Sequence, residues 1–291
     1  MRTVGVLALF AALAASCSLV TDLSSLDGDA GDAGDGGVDG GDGSATDAIA
    51  NDVQPTDASV SCPGYPLAFL CDDFADGWSP VWTKNEYGGA SVSISGEQAV
   101  SPPTALLSQT PDAPDSGGSV LEYGAGLVYP RNGIATKHVR SSYDIYLDQV
   151  GDRSAAIGGV YLGTSMSTQY YGVVLYVNAN GNKLIEDGLG DLSDGGGTSN
   201  AAASGFAIPL RTWTRIVLDV DFAAGTVSLA ETDPATPPDA SLPFVVAPTP
   251  IHPTLAGPST FVFAGISYQT ANPGQSNATR VFVDDVVFES L

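Results

Sequence analysis

The sequence predicts an all-β domain, a two-sheet antiparallel sandwich, behind a disordered acidic linker. Three observations carry that expectation. Short runs with period-two alternation recur from Val139 to the C-terminus, Gly- and Asn-rich turns punctuate them, and no stretch sustains helical spacing.

Residues 62–291 are long enough for a substantial core, as one β-sandwich or as two smaller domains. Val139, Ser141, Tyr143, Ile145 and Leu147 share one face of a strand; Arg140, Ser142, Asp144, Tyr146 and Asp148 share the other. Tyr170 to Val177 is apolar on both faces, as a central strand is. Asn180-Gly181 signals a tight turn, with Lys183 to Glu186 returning. From Trp213 to Phe222, Ile216, Leu218, Val220 and Phe222 point inward, and Arg215, Asp219 and Asp221 outward. Ala223-Ala224-Gly225 turns that strand into Thr226 to Glu231, and Thr260 to Gln269 and Thr279 to Glu289 close the chain. Gly-, Ser- and Pro-rich stretches at 110–118, 187–204 and 232–250 read as surface loops or connections between sheets.

Four segments carry a resemblance: an opening CDDF near a tryptophan, WTRIVLDVDF followed by a turn and GTVSL, a late FVFAGISYQ, and a closing RVFVDDVVFE. In order and character they resemble the concanavalin A-like, laminin-G-like jelly roll. That likeness implies two curved antiparallel sheets packed face to face, with the first and last strands close together. It also implies one structural calcium held between the first and last strands. Asp72, Asp73, Asp284 and Asp285 occupy the matching places, and paired aspartates in an apolar terminal strand are costly unless bonded or exposed; the alternative to calcium is that one of the terminal pair faces solvent and the other caps a bulge.

The N-terminus reads as an export signal. Arg2 precedes an apolar run from Val4 to Ala15, too short to span a bilayer, and small residues end it. Leu13-Ala14-Ala15-Ser16-Cys17 resembles the lipobox of bacterial lipoproteins, with the leucine one place earlier than usual. Residues 1–16 are then a signal peptide and Cys17 the acylated first residue, the membrane anchor. By the same resemblance, Ser18 points to the outer membrane. The alternative is an ordinary signal peptide with an incidental cysteine. From Ser18 to Ser61 the chain carries ten aspartates and no basic or aromatic residue, too little apolar surface to offset ordering entropy. Such a tether spans about 35–40 Å. Its Asp-Gly runs lack the glutamate of an EF-hand loop and the large apolar residue of a calcium nonapeptide, so a spacer is expected. With Cys17 acylated, Cys62 and Cys71 remain as an even pair in an oxidising compartment, expected as a disulfide rather than two free thiols.

No motif for chemistry stands out. His138 and His252 are the only histidines, no GxSxG elbow accompanies them, and no phosphate loop or dinucleotide fingerprint occurs. From Cys62 onward 23 acidic residues face 9 basic ones, which argues against nucleic acid. The carboxylate pairs Glu186-Asp187 and Asp219-Asp221 do not fit the E-x-D-x-x-E pattern of jelly-roll glucanases, and the motifs of jelly-roll alginate lyases are missing too. Trp78, Trp82, Tyr87, Tyr129, Tyr146 and Tyr170 are candidates for a sugar-stacking face, and Trp213 for the core. The expectation is a cell-surface lipoprotein whose domain binds a glycan or a surface protein without catalysis. A glycan-cleaving enzyme and a structural envelope protein are the alternatives.

Overall fold

The computed structural model describes residues 62–112, 121–165, 169–179, 181–189, 197–200, 206–236, 242–251, 257–271 and 278–291. The signal, Cys17, the tether, His252 and Asn180 lie outside them. Among the described residues every regular element is a strand, and the strands form two antiparallel sheets.

The first sheet runs β13 (Phe244–Pro250), β12 (Thr226–Thr232), β11 (Thr214–Asp221), β6 (His138–Gln149), β15 (Thr279–Ser290), β4 (Ala105–Thr110) and β3 (Ser91–Ser95). β1 (Ala68–Asp72) also pairs with β15. β4 takes residues 279–283 of β15 and β1 takes 286–289, so the two lie end to end along one side of it. First and last strands are therefore neighbours. The second sheet runs β10 (Gly197–Asn200), β9 (Gly181–Leu189), β8 (Gln169–Asn178), β7 (Ala155–Ser165), β14 (Ser259–Ala271), β5 (Leu121–Arg131) and β2 (Thr83–Tyr87).

One core fills the space between the sheets. The expected inward faces supply it: Val139, Tyr143, Ile145 and Leu147 of β6, and Ile216, Leu218 and Val220 of β11. From the other sheet come Tyr171, Val173, Leu175 and Val177 of β8, and Val262, Ala264 and Ile266 of β14. β8 is interior to its sheet and buried along its length, as its two apolar faces require.

Several boundaries differ from the sequence reading. β9 opens at Gly181, paired with Asn178, so the loop falls one residue earlier than an Asn180-Gly181 turn would place it. β10 and β13 lie within stretches read as loops, because sheet-edge strands need not alternate apolar and polar residues. Trp213 is half-buried against Tyr146 on the outer face of the first sheet, with ring centroids 5.6 Å apart, and not in the core.

Candidate functional site

A two-layer sandwich needs only one apolar face per sheet, and the outer face ordinarily meets water. The second sheet departs from that rule. Its outer face carries a separate aromatic cluster of Tyr161, Tyr170, Tyr176, Tyr268, Phe261 and Phe263, with Tyr87 packed against it. Each of the first six is less than a tenth exposed, whereas Tyr87 is half-buried. The rings meet edge to face: Tyr161 lies 5.3 Å from Tyr170 and 5.4 Å from Phe263.

Glycines make this arrangement possible. Asp187 of β9, Gly172 of β8 and Tyr161 of β7 stand in one cross-strand row. A methyl group on Gly172 would fall 2.4 Å from the Tyr161 ring, so the ring lies across the glycine. The Tyr161 hydroxyl thereby spans β8 and donates to the Asp187 carboxylate at 3.2 Å. The device recurs at the far edge. Tyr87 of β2 lies over Gly124 of β5, and its hydroxyl donates to the Ser267 carbonyl of β14 at 3.4 Å, beside the Asn85 amide. The Tyr268 hydroxyl donates to Glu122 at 3.4 Å. Tyr170 is fully buried and its hydroxyl has no hydrogen-bond partner among the described residues, at a cost of about 1–3 kcal/mol.

Burial pushes the Asp187 carboxyl up to about 6, against the Tyr161 hydroxyl and the Gly188 amide, which pull it down. The Tyr161, Tyr170 and Tyr176 hydroxyls are pushed up by burial and by the Asp187 charge, so they stay protonated donors. Among the described residues, the other acid on this face is Glu122 of β5, four strand spacings from Asp187, or roughly 19 Å. Two-carboxylate glycoside hydrolysis needs its acids at about 5–9.5 Å. Glu186 does not supply the second acid, because it alternates to the opposite face and accepts a hydrogen bond from Tyr171 of the inter-sheet core.

The sequence candidates scatter. Of the aromatics proposed for a sugar face, only Tyr87 and Tyr170 lie on this one. Trp82 is buried in the core, where its indole N–H donates to Asp72 at 2.9 Å, and Tyr129 packs half-buried on the same core. Tyr146 meets Trp213 at a tilt and Phe282 edge to face on the outer face of the first sheet. His138 and Arg140 both bind Asp219, and Asp221 accepts from the Ala223 and Ala224 amides at the turn.

The four aspartates of the first and last strands divide. Asp72, Asp73 and Asp285 line one cavity of about 680 Å³ with Trp78 and Arg215. Asp284 turns elsewhere. It sits at the bulge where β15 exchanges β4 for β1, and it accepts the amides of Val100, Ser101 and Asp285. Asp72 accepts the Phe74 and Ser79 amides as well as the Trp82 indole. Among the described residues, no group of three or more His, Cys, Asp or Glu side chains gathers as a metal site. Cys62 and Cys71 form the expected disulfide and wall that cavity.

The tyrosine cluster went unread because no local motif announces it. The available signal was glycine inside strands, at 124, 126 and 172, where a close approach by other groups is the usual reason.

No protein-family model matches the chain, and no curated protein does. Among solved structures, the endo-β-1,4-glucuronan lyase from the fungus Trichoderma reesei is similar, with a TM-score of 0.52 at 13% identity, over 77% of this chain and 96% of that one. A GH131 β-glucanase catalytic domain from Podospora anserina gives 0.44 at 13% identity, over 76% and 92%. Carbohydrate-binding module CBM66 from Bacillus subtilis gives 0.40 at 10% identity, over 72% and 95%. The first likeness is one of fold: the chain is a two-sheet jelly-roll sandwich.

Proposed function

We propose that the chain is a lipid-anchored envelope protein whose jelly-roll domain binds glycans on the outer face of its second sheet without cleaving them. The anchor is Cys17, and residues 18–61 hold the domain off the outer membrane. The supporting observation is the tyrosine-lined face with its single elevated carboxyl. Half-buried Tyr87 offers a ring to the C–H face of a pyranose, and phenol and carboxyl groups pair with sugar hydroxyls. The buried rings packed behind Tyr87, on their glycine seats, hold that face in one geometry, which lowers the ordering cost of binding. The fold shared with a glucuronan lyase agrees with a glycan ligand.

One observation favours a second reading. Burial raises the Asp187 carboxyl to about 6, which suits it to move a proton in a glycan-cleaving reaction, with the Tyr161 hydroxyl as a fixed donor beside it. A single experiment separates the readings. The full chain carrying Cys17→Ser, which should leave the membrane fraction, is tested on a panel of polysaccharides for both binding and release of reducing ends. Binding without release supports the proposal, and release supports the enzyme. Neither leaves a structural envelope role, and membrane retention of the variant removes the anchor.

A further inference from the structure

The outer face of the first sheet carries its own aromatic patch. Trp213, just before β11, meets Tyr146 of β6 with ring centroids 5.6 Å apart and planes 50° apart. Tyr146 in turn meets Phe282 of β15 edge to face at 6.0 Å. Phe282 is the buried base of the patch, capped by the Arg280 guanidinium 4.8 Å from its ring centroid. Trp213 and Tyr146 stay half-buried, and among the described residues no cation lies over the indole. The segment that leads into β11 is pinned beside them. Leu210 bridges to Leu147, and the Arg211 amide donates to the Leu147 carbonyl at 2.9 Å. Arg211 takes a φ of 55° there, in the left-handed region.

Arg211 says what the patch would take. Its side chain is 74% exposed, on a domain whose acidic residues outnumber its basic ones 23 to 9. Its Nε stands 3.6 Å from Asp148, beyond a hydrogen bond. Arg280 holds that carboxylate instead, at 2.8 Å, and takes Glu97 at 2.7 Å. The two nearby acids are thus both engaged by Arg280, and the Arg211 fork keeps its donors for a ligand. Asp148 and Tyr146 are successive outward residues of β6, so the guanidinium and the aromatic pair sit roughly 7 Å apart along the strand. A guanidinium fork pairs both oxygens of a carboxylate, and an indole takes the C–H face of a sugar ring. A neutral sugar would use the indole alone and a small anion the guanidinium alone. A sugar ring that carries a carboxylate uses both.

We propose that this patch is a second binding site, for a hexuronate-bearing saccharide, with a sugar ring on Trp213 and its carboxylate on Arg211. The site belongs to the first sheet and does not depend on the tyrosine-lined face of the second. The probe is an oligomer of galacturonic acid, and its full methyl ester is the matched control, since esterification removes the charge and keeps the rings. Titration calorimetry with the full chain carrying Cys17→Ser should show the acid binding more tightly than the ester, with the difference shrinking as salt rises. Arg211→Gly removes the fork at a backbone conformation that glycine adopts without strain, so it spares the fold. It should weaken the acid about three- to tenfold and leave the ester unchanged. Arg211→Lys should recover only part of that affinity, because an ammonium is a point charge and not a fork. Trp213→Ala should weaken both forms. Equal affinity for acid and ester, no binding of either, or an acid affinity that survives Arg211→Gly overturns the proposal. Loss of acid binding in Tyr87→Ala but not in Arg211→Gly puts the uronate on the tyrosine-lined face and overturns it as well. The glycan-face reading stands or falls separately, by the polysaccharide panel.

Discussion

Gly172→Ala puts the tyrosine row under direct strain. By backbone entropy alone, alanine in a strand interior should be better than glycine by roughly 0.5–1 kcal/mol. The structure reverses the sign. The new methyl carbon would stand 2.3 Å from the Val160 carbonyl oxygen and 2.4 Å from Cδ1 of Tyr161. The first is backbone of the neighbouring strand, which cannot rotate away, so β7 and β8 must separate by about an ångström or the Tyr161 ring must leave. Overpacking of this kind costs about 1–3 kcal/mol. The net expectation is destabilisation of about 1–2 kcal/mol, together with loss of the Tyr161–Asp187 hydrogen bond. Urea unfolding of wild type and variant measures the first. Glycan affinity measures the second, and it should fall further than the stability loss explains. A Gly172→Ala protein as stable as wild type, or more so, would refute the packing argument. Loss of stability with unchanged glycan affinity would remove Tyr161 from the binding face.

Asp144 and Arg215 form a buried ion pair, with side chains 0% and 11% exposed. Asp144→Leu should therefore cost about 3–5 kcal/mol by stranding the guanidinium, and adding Arg215→Leu should restore much of it; a single variant losing under about 1 kcal/mol in urea unfolding contradicts this. Replacing Cys62 and Cys71 by serine opens a short loop and should cost about 2–3 kcal/mol, read as a lower urea midpoint at unchanged slope. The Asp187 carboxyl is raised on folding, so its contribution to stability is fully present below its unfolded pKa near 4 and is lost as pH rises through about 6. Wild type should thus lose melting temperature relative to Asp187→Asn between pH 4 and 7, and parallel curves would show that Asp187 is not buried as described.

How much was legible depended on whether a residue's neighbours along the chain reported its surroundings. The β6 and β11 faces were readable because alternation is a local consequence of strand geometry, and the inward residues are those the pattern named. Asp144 and Arg215 also lie on the outward faces the pattern assigned, yet they are buried. Their burial comes from a register that sets residue 144 opposite 215 across two strands, and no window along one strand contains it. The same holds for Asp187, Gly172 and Tyr161, three ordinary residues until β7, β8 and β9 align them. The Asp284-Asp285 pair shows the limit most sharply. Sequence flags it as an anomaly in an apolar strand, with calcium offered by resemblance and a bulge cap beside a solvent-facing acid as the alternative, but it does not say which acid does what. The structure places a bulge there: β15 changes partner, Asp285 takes a φ of 46°, and Asp284 accepts the amides of Val100 and Ser101 near the junction. An exposed aspartate would need no such donors, and an apolar residue could not accept from them. The acid at 284 is therefore explained by the topology of a strand with two successive partners, while its neighbour at 285 accepts from the Ser101 hydroxyl at the cavity wall.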